Sequence, residues 1–305
     1  MESKQKTAVL IMTYGSATTA EHVGEYMGRI YGGKASQELV ADFEKRYRLV
    51  GHSPLIEITH AQADHLQARL GDDYMVRAAM RHSAPLIADV VKECSAEGAA
   101  KVVGIILSPQ FSSFIMEGYR TALFAAAKEN GFADADIIIA KPWPTERHFI
   151  KLLAKRVKEK LHELETLHGV GAPVIFTTHS LPERVVASDP TYLDQLKATR
   201  DAVIAELNDP SLEWYAGYQS AGHTPEAWLK PDLVDILAIL KEKRSPAVLI
   251  VPIQFLADHL EILYDLDIAG AEQCAENNIA YNRTELPNTD PLFIEALAAT
   301  VDENR

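Results

Sequence analysis

Short apolar segments alternate with longer amphipathic segments along the chain, and the alternation restarts near the middle. The apolar segments have the length of strands, and the amphipathic ones carry apolar residues at helical spacing. Because a strand, a helix and a second strand in succession favour a parallel sheet covered by helices, the pattern predicts an α/β protein. The predicted strands are residues 8–13, 74–80, 102–107, 135–140, 174–178, 213–218 and 247–251.

The restart predicts two similar doubly wound α/β domains that face each other across a cleft. A length of 305 residues suits two domains of ordinary size. A long polar helical segment runs into "HELETLHGVGAP", after which a new strand begins. We therefore expect an N-terminal domain over residues 1–165 and a C-terminal domain over residues 166–289. A final helix, at about residues 290–305, is expected to pack back on the first domain.

Composition limits the function classes that need to be considered. The net charge is −13 and no run is rich in Lys or Arg, which argues against nucleic-acid binding. The two cysteines, Cys94 and Cys274, lie far apart without a CxxC motif, so no iron–sulfur cluster is expected and a reducing compartment is favoured. The apolar run 8–12 is too short for a signal peptide, and no segment is long enough to span a bilayer. We predict a cytoplasmic protein without a transmembrane segment.

Several polar side chains follow predicted strands at the point where each strand ends. Ligands of parallel α/β sheets bind beyond the carboxyl ends of the strands, and in a two-domain protein the cleft is the natural place. A segment opening a helix near Ala257, "ADHLEILYD", follows another strand. We therefore expect one cleft to collect the residues Tyr14, Gln110, Ser112, His179, Gln219 and Ser220.

The acidic residues of "ADHLEILYD" recur at i, i+3 and i+7, which places Asp258, Glu261 and Asp265 on one helix face. Asp258 is explained by the preference for acids in a first helical turn. Glu261 has apolar neighbours, so burial is expected to raise its pKa and it needs a partner or a chemical role. With a nearby His it would form an acid/base pair or half of a metal site. His259 could compete for that role, but two positions away on a helix it is expected to point elsewhere and to be structural.

Residue types alone do not decide whether His179 and Tyr14 have functional or structural roles. A histidine that ends a strand is as readily a hydrogen-bonded core residue as a base, and Tyr14 could simply pack. Nucleotide-binding glycine motifs and a G-x-S-x-G nucleophile motif are absent, and Cys94 lies within a helical pattern.

A set of motifs spread over the chain resembles the ferrochelatase family. These are "TYGS" (13–16), "GHSPL" (51–55), "THSLPE" (178–183), "GYQSAGHTPEAWLKPD" (217–232), "VPIQFLADHLEILYDLD" (251–267) and the closing "PNTDPLFIEALA". They occur in the family's order and spacing, and the length resembles the Gram-positive coproporphyrin III ferrochelatases. The resemblance implies a lyase with two Rossmann-like domains, each with a four-stranded parallel sheet, around a central chelatase-like cleft. It also implies that Fe²⁺ is a substrate and that no further cofactor is needed.

The resemblance assigns roles to individual residues. It implies that His179 accepts protons or contacts the metal, that Glu261 is its partner, and that Tyr14 approaches the iron from the other face of the ring. Asp265 would lie on the route by which the metal arrives. Porphyrin propionates would be bound by Arg46, Ser53 and Tyr119. The alternatives for Arg46 and Tyr119 are a solvated helix face and ordinary packing.

Some positions depart from the family pattern. A basic pair is replaced by Ile30 and Tyr31, so its propionate contact would be lost or taken by Arg29 or Lys34. Further departures are Val50, Tyr218, Ala221, Lys230 and Ala269. They leave open the choice between coproporphyrin III and protoporphyrin IX. A non-catalytic porphyrin or haem carrier and a chelatase for a metal such as Co²⁺ are also compatible with these residues. Transient contact with other haem-pathway enzymes is a further expectation.

Overall fold

The computed structural model describes residues 6–169, 171–222 and 224–305. Within these residues, eight strands form two four-stranded sheets in which every neighbouring pair is parallel. The first sheet has the order β2-β1-β3-β4 and the second the order β6-β5-β7-β8. The strands are β1 (Lys6–Thr13), β2 (Tyr74–Met80), β3 (Ala99–Ile106), β4 (Ile137–Ile139), β5 (Val174–His179), β6 (Trp214–Gln219), β7 (Ala247–Pro252) and β8 (Ala280–Arg283).

Helices connect the strands and cover both faces of each sheet. A π-helix, Asp265–Gly270, follows α10, and short 3₁₀ turns occur at Ala20–His22 and Asp134–Asp136. The α-helices of the described chain are α1 (Val23–Ile30), α2 (Gln37–Val50), α3 (Leu55–Leu70), α4 (Ile87–Ala96), α5 (Ser113–Glu129), α6 (Arg147–His168), α7 (Glu183–Ser188), α8 (Thr191–Leu207), α9 (Leu233–Glu242), α10 (Leu260–Tyr264), α11 (Ala271–Glu276) and α12 (Pro291–Glu303).

Burial on both faces explains why the strands appear as continuous apolar runs. In β1, Val9 and Ile11 contribute to the apolar core between the two sheets, whereas Ala8, Leu10 and Met12 pack against α4 and α5 on the other side. All six residues from Ala8 to Thr13 are buried. The predicted fold class, two similar doubly wound α/β domains, is confirmed.

One core joins the two halves. It contains Val9 and Val103 of the first sheet together with Phe176 and Val251 of the second, and helices α6 and α12 contribute to it. Helix α12 packs against α3 and α6. Helix α6 runs through residue 165, so the domain limits 1–165 and 166–289 stay a prediction. No helix in the described part of the chain is both long and apolar enough to cross a membrane.

Three elements of the structure were missed or misplaced in the sequence-based prediction. Strand β8 was missed because its four residues, "AYNR", are all partly exposed at the sheet edge and show neither a continuous apolar run nor alternation. Strand β4 is shorter than predicted because a 3₁₀ turn occupies Asp134–Asp136. The helix expected to open near Ala257 begins at Leu260, with an extended N-cap residue before it.

Candidate active site

The centre of the site is a histidine and a carboxylate on neighbouring elements of the second half. His179 is the last residue of β5, and Glu261 lies in the first turn of α10. The Nε2 atom of His179 is 3.5 Å from Oε2 of Glu261, and both side chains are partly open to solvent. The pair predicted from the sequence therefore meets in space.

Hydrogen bonds identify which nitrogen of His179 is free. Its Nδ1 contacts the carbonyl oxygen of Ser180, which can only accept, so Nδ1 carries a proton. In the neutral ring, Nε2 then holds a lone pair that faces Glu261. This arrangement suits proton acceptance or metal contact, because either reaction needs an unprotonated nitrogen.

A second histidine contacts the same carboxylate. Nδ1 of His259 donates to the Ala257 carbonyl at 3.0 Å, and its Nε2 is 3.9 Å from Oε2 of Glu261. The expectation that His259 points elsewhere is wrong because His259 precedes the helix and has an extended backbone, with φ −161° and ψ 178°. For the same reason Asp258 is not in a first helical turn. It accepts a hydrogen bond from Asn288 at 2.8 Å and lies near Arg283.

The charge state of Glu261 differs from the expectation. Burial alone would raise the pKa of Glu261, but His179 and His259 in their protonated forms, together with Arg46, outweigh that effect and hold the pKa below its usual range. Water reaches the side chain, which is 41% exposed, and screens part of this attraction. The carboxylate is therefore ionised at neutral pH and can stabilise a protonated His179. The expected upward shift is wrong because cationic neighbours were not visible in the sequence.

Tyr14 follows β1 at the carboxyl edge of the first sheet, and its side chain is exposed enough to meet a ligand. Its ring centroid is 4.5 Å from that of His82, and the Arg81 guanidinium lies 5.8 Å from the Tyr14 ring. Burial raises the pKa of Tyr14, although Arg81 lowers it in part, so the phenol keeps its proton at neutral pH. Gly15 allows this turn, because its φ is +91° and a Cβ at this position would collide with the Ser83 side chain.

Arg46 and Asp265 form the side of the site where the two halves meet. Helix α10 packs against α2, which carries Arg46. Nη1 of Arg46 is 4.0 Å from Oδ1 of Asp265, and its guanidinium covers the Tyr264 ring at 5.1 Å. The alternative of a solvated helix face does not describe Arg46, whose side chain is only 21% exposed. Burial raises the pKa of Asp265, although a hydrogen bond from Ser220 opposes the shift.

The other predicted porphyrin contacts belong to the first half of the chain. Ser53 is buried, and its hydroxyl accepts a hydrogen bond from Ser16 at 2.8 Å. Tyr119 is buried behind Arg81, whose guanidinium lies 5.8 Å from its ring. Arg29 lies on the exposed side of α1 and pairs with Glu25 at 2.7 Å.

Four site residues were missed in the sequence. Arg81 and His82 directly follow β2, and Gln254 and Phe255 follow β7. The rule that led to Tyr14 and His179, a polar or aromatic residue at the carboxyl end of a parallel strand, would have found all four. Phe255 lies 6.2 Å from the His179 ring and 5.2 Å from the His259 ring. Arg81 has no carboxylate partner among the described residues, so its charge is available to a ligand.

The protein offers few ligands to a metal. Over residues 6–169, 171–222 and 224–305, no three His, Cys, Asp or Glu side chains are arranged to hold an ion. Cys94 and Cys274 are buried in the cores of different halves, and burial raises the pKa of each thiol to about 11. An ion at the His179–Glu261 pair would therefore keep open coordination positions.

Two cavities lie apart from this site. One, of about 290 Å³, lies between α6 and the end of α8, and the other, of about 220 Å³, lies between α8 and the edge of the second sheet. Neither is lined by His179, Glu261 or Tyr14, so neither of these cavities is the candidate site.

Solved structures with the same architecture include chelatases. The structure of "SirB from Bacillus subtilis with Fe3+" matches with a TM-score of 0.62 over 98% of this chain and 95% of that chain, at 14% identity. A cobalt complex of the sirohydrochlorin chelatase SirB from Bacillus subtilis subspecies spizizenii matches with a TM-score of 0.59. At this low identity the likeness concerns the fold alone.

Sequence relatives are much closer. A ferrochelatase of Herpetosiphon aurantiacus is 37% identical over 302 residues, which cover 97% of this chain and 98% of that protein. A coproporphyrin III ferrochelatase of a Geobacillus species is 37% identical over 308 residues, or 98% of each protein. Coproporphyrin III ferrochelatase 2 of Bacillus anthracis is 33% identical over 98% of this chain and 94% of its own length.

The family profile named Ferrochelatase matches residues 6–305, which include every element of both sheets. The match extends over the whole described fold, and the relatives agree with it along their full lengths. The family and the enzyme class expected from the motifs are confirmed: the chain is a lyase and belongs to the ferrochelatase family.

Proposed function

We propose that the enzyme inserts Fe²⁺ into coproporphyrin III to form coprohaem. The observation that carries the proposal is the free Nε2 of His179, 3.5 Å from the ionised Glu261, in a cleft that also holds Tyr14. Metal insertion releases two pyrrole N–H protons, so the reaction needs a base within reach of the ring. His179 and Glu261 supply a base and a carboxylate that stabilises its protonated form.

The proposed proton path uses His179, Glu261 and His259. His179 Nε2 accepts a pyrrole proton, and the resulting imidazolium is stabilised by Glu261. His259, on the other side of the same carboxylate, offers a second site from which protons leave toward solvent. The second pyrrole proton takes the same route, so one Fe²⁺ enters the ring for two protons released.

The same residues suit the incoming metal. Imidazole nitrogen and carboxylate oxygen are suitable ligands for a borderline cation such as Fe²⁺. Asp265, linked to Ser220 and near Arg46, would pass the ion toward Glu261. Tyr14 would approach the iron of the product from the opposite face of the ring, with its phenol as the axial group.

Four propionates require cationic partners in a protein whose net charge is −13. Arg46 borders the site, and Arg81 adds a cation without a carboxylate partner among the described residues. Arg29 would bind a propionate at the rim. Ser53 and Tyr119 are also proposed contacts, and because both are buried, either contact requires a local side-chain movement.

The choice of coproporphyrin III rests on the relatives of Geobacillus and Bacillus anthracis that bear this name. The Herpetosiphon relative is named only as a ferrochelatase. Protoporphyrin IX, with two propionates, is therefore the alternative substrate. We further propose that the enzyme needs no resident cofactor, works in the cytoplasm and makes transient contacts with other haem-pathway enzymes.

Anaerobic Fe²⁺ insertion into each porphyrin, followed by absorbance, tests the proposal. We expect coproporphyrin III to be metallated faster than protoporphyrin IX, and His179→Ala to lose at least about 100-fold in rate. His60→Ala is a matched control, because His60 is exposed on α3. Binding of both porphyrins without metallation by the native protein would contradict the enzyme proposal. A native rate in His179→Ala would contradict only the role assigned to His179 and would leave the enzyme proposal intact.

A further inference from the structure

We propose that Gln254 and Tyr192 are positioning residues that hold the backbone of His179 in place for metal insertion. The inference rests on the proposed function, because it takes His179 as the base. The His179 N–H donates to Oε1 of Gln254 at 2.9 Å, and the Tyr192 hydroxyl donates to the His179 carbonyl at 2.8 Å. The same hydroxyl lies 3.1 Å from Oε1 of Gln254. Both backbone groups of His179 are therefore bonded to side chains.

The ladder between β5 and β7 explains why side chains are needed here. The last paired residues are Thr177 and Pro252, and the Ile253 N–H donates to the Thr177 carbonyl at 3.0 Å. A regular parallel ladder would continue with the His179 N–H donating to the Ile253 carbonyl. That carbonyl instead accepts from Nε2 of Gln110 at 3.1 Å. The Gln254 side chain thus takes the place of the ladder carbonyl two residues beyond the last regular pair.

Because Gln254 and Tyr192 are buried, water cannot readily take their place as hydrogen-bond partners of His179. Gln254 is 6% exposed and Tyr192 is 1% exposed, so the amide oxygen and the hydroxyl have little access to water. Buried polar atoms without partners are costly, and the two side chains satisfy the N–H and the carbonyl of His179. The amide orientation is determined by the His179 N–H, which needs the amide oxygen as its acceptor. Burial raises the pKa of Tyr192, so its hydroxyl is a donor throughout the working range of pH.

Gln110 extends the network to the first half of the protein. Its Nε2 also lies 2.9 Å from the Thr199 hydroxyl, on α8, the helix that carries Tyr192. Through Gln110, the first half therefore contacts both the residue that follows β7 and helix α8, which carries Tyr192. None of these groups lies among the residues proposed to touch the porphyrin.

Position matters because the base has to meet a pyrrole nitrogen and Glu261 at the same time. A displacement of about 1 Å in a catalytic group can lower a rate by about 100-fold. We expect Tyr192→Phe and Gln254→Met to lower kcat by about 10-fold to 100-fold, since each frees one backbone group of His179. The Kd for porphyrin should change less than about twofold, because the ring contacts are retained. Gln254→Glu, which keeps an acceptor oxygen, should recover part of the lost kcat.

Two controls separate positioning from general stability. Val203→Ala removes core packing from the same helix, α8, without touching His179, and it is expected to lower the Tm while leaving kcat unchanged. Tyr215→Phe removes a hydroxyl that donates to Glu213 at 2.6 Å, away from the site. A fall in kcat that merely follows the loss in Tm across all five variants would overturn the proposal.

Amide hydrogen exchange at His179, followed by NMR, gives a readout that does not depend on activity. Protection of this amide should fall in Gln254→Met and be retained in Tyr215→Phe and in Gln254→Glu. If the protection is unchanged in Gln254→Met, the proposal is wrong whether or not the protein is a ferrochelatase. If the native protein fails to metallate either porphyrin while the protection behaves as expected, the proposed function fails and the backbone contact stands without a catalytic role. Native kcat in both Tyr192→Phe and Gln254→Met would overturn the positioning role and leave the proposed function intact.

Discussion

The two sheets share one strand order, yet the carboxyl ends of their strands carry different chemistry. In the first half, Tyr14, Arg81 and His82 supply a phenol, a guanidinium and a neutral imidazole. In the second half, His179 and Glu261 lie 3.5 Å apart, and we propose that they act as an acid/base pair. The same scaffold, used twice, thus separates groups suited to hold a ring and its propionates from groups suited to remove its protons.

The difference has a physical basis in the surroundings of each residue. Tyr14 lies beside a guanidinium and His82, and neither of these contributes a negative charge. Glu261 lies beside two imidazoles and within the field of Arg46, so its carboxylate stays ionised. Changes in the second half should therefore affect the chemical step, and changes in the first half should affect binding and the product.

The largest effect is expected from Glu261→Gln. The variant keeps the shape of the side chain but removes the charge that stabilises protonated His179, so kcat should fall by about 10² to 10⁴. The measurement is Fe²⁺ insertion into coproporphyrin III under anaerobic conditions. Glu272→Gln, an exposed residue of α11, is the matched control and should keep the native rate. A loss of porphyrin affinity with unchanged kcat would place Glu261 in binding rather than in proton transfer.

A smaller effect is expected from Arg46→Gln. A charge-assisted hydrogen bond to a propionate contributes about 1.5–3 kcal/mol, so the Kd for coproporphyrin III should rise by about 10-fold to 100-fold. Porphyrin fluorescence measures the Kd. Arg48→Gln, on the same helix but exposed and paired with Glu44, should leave the affinity unchanged. Equal effects of the two substitutions would show that the overall charge, rather than Arg46 itself, matters.

A modest effect is expected from Tyr14→Phe. The ring still packs against His82, and proton removal depends on the other half, so kcat should fall by less than about tenfold, or about 1.4 kcal/mol of barrier. The absorbance spectrum of the bound iron product should change, because the phenol is lost as an axial group. A rate loss as large as that of His179→Ala would contradict the division of roles between the halves.

The smallest effect concerns stability and pH. Burial and Arg81 lower the pKa of His82 from 6.5 to about 4. Between these pH values, His82 binds a proton in the unfolded chain but not in the folded protein. Stability is therefore expected to fall as the pH drops from about 6.5 to about 4. His82→Gln should reduce this loss, measured as the free energy of unfolding in denaturant at several pH values. An identical pH dependence in the variant would show that His82 does not contribute.

Much of the fold could be predicted because its strands are buried on both faces. Continuous apolar runs such as "AVLIMT" and "VIFTTH" stand out from the amphipathic helices around them. Strand β8 was not predicted because it is an edge strand with only partial burial and has no continuous apolar run. The start of α10 was misplaced by three residues, since propensity does not show that His259 is extended. Because of that small error, His259 was predicted to point away from Glu261, whereas its Nε2 lies 3.9 Å from that carboxylate.

The sequence by itself determined the two α/β halves and the family, and it pointed to His179, Glu261 and Tyr14 as candidates, because periodicity and motif spacing are local properties of the chain. Tertiary structure alone decided which side chains surround them. Packing of α10 on α2 brings Arg46 beside Asp265, and the extended backbone of His259 places a second imidazole at Glu261, which together lower the pKa of that carboxylate. Electrostatic environment depends on distances between residues remote in sequence, so only the folded chain could supply it.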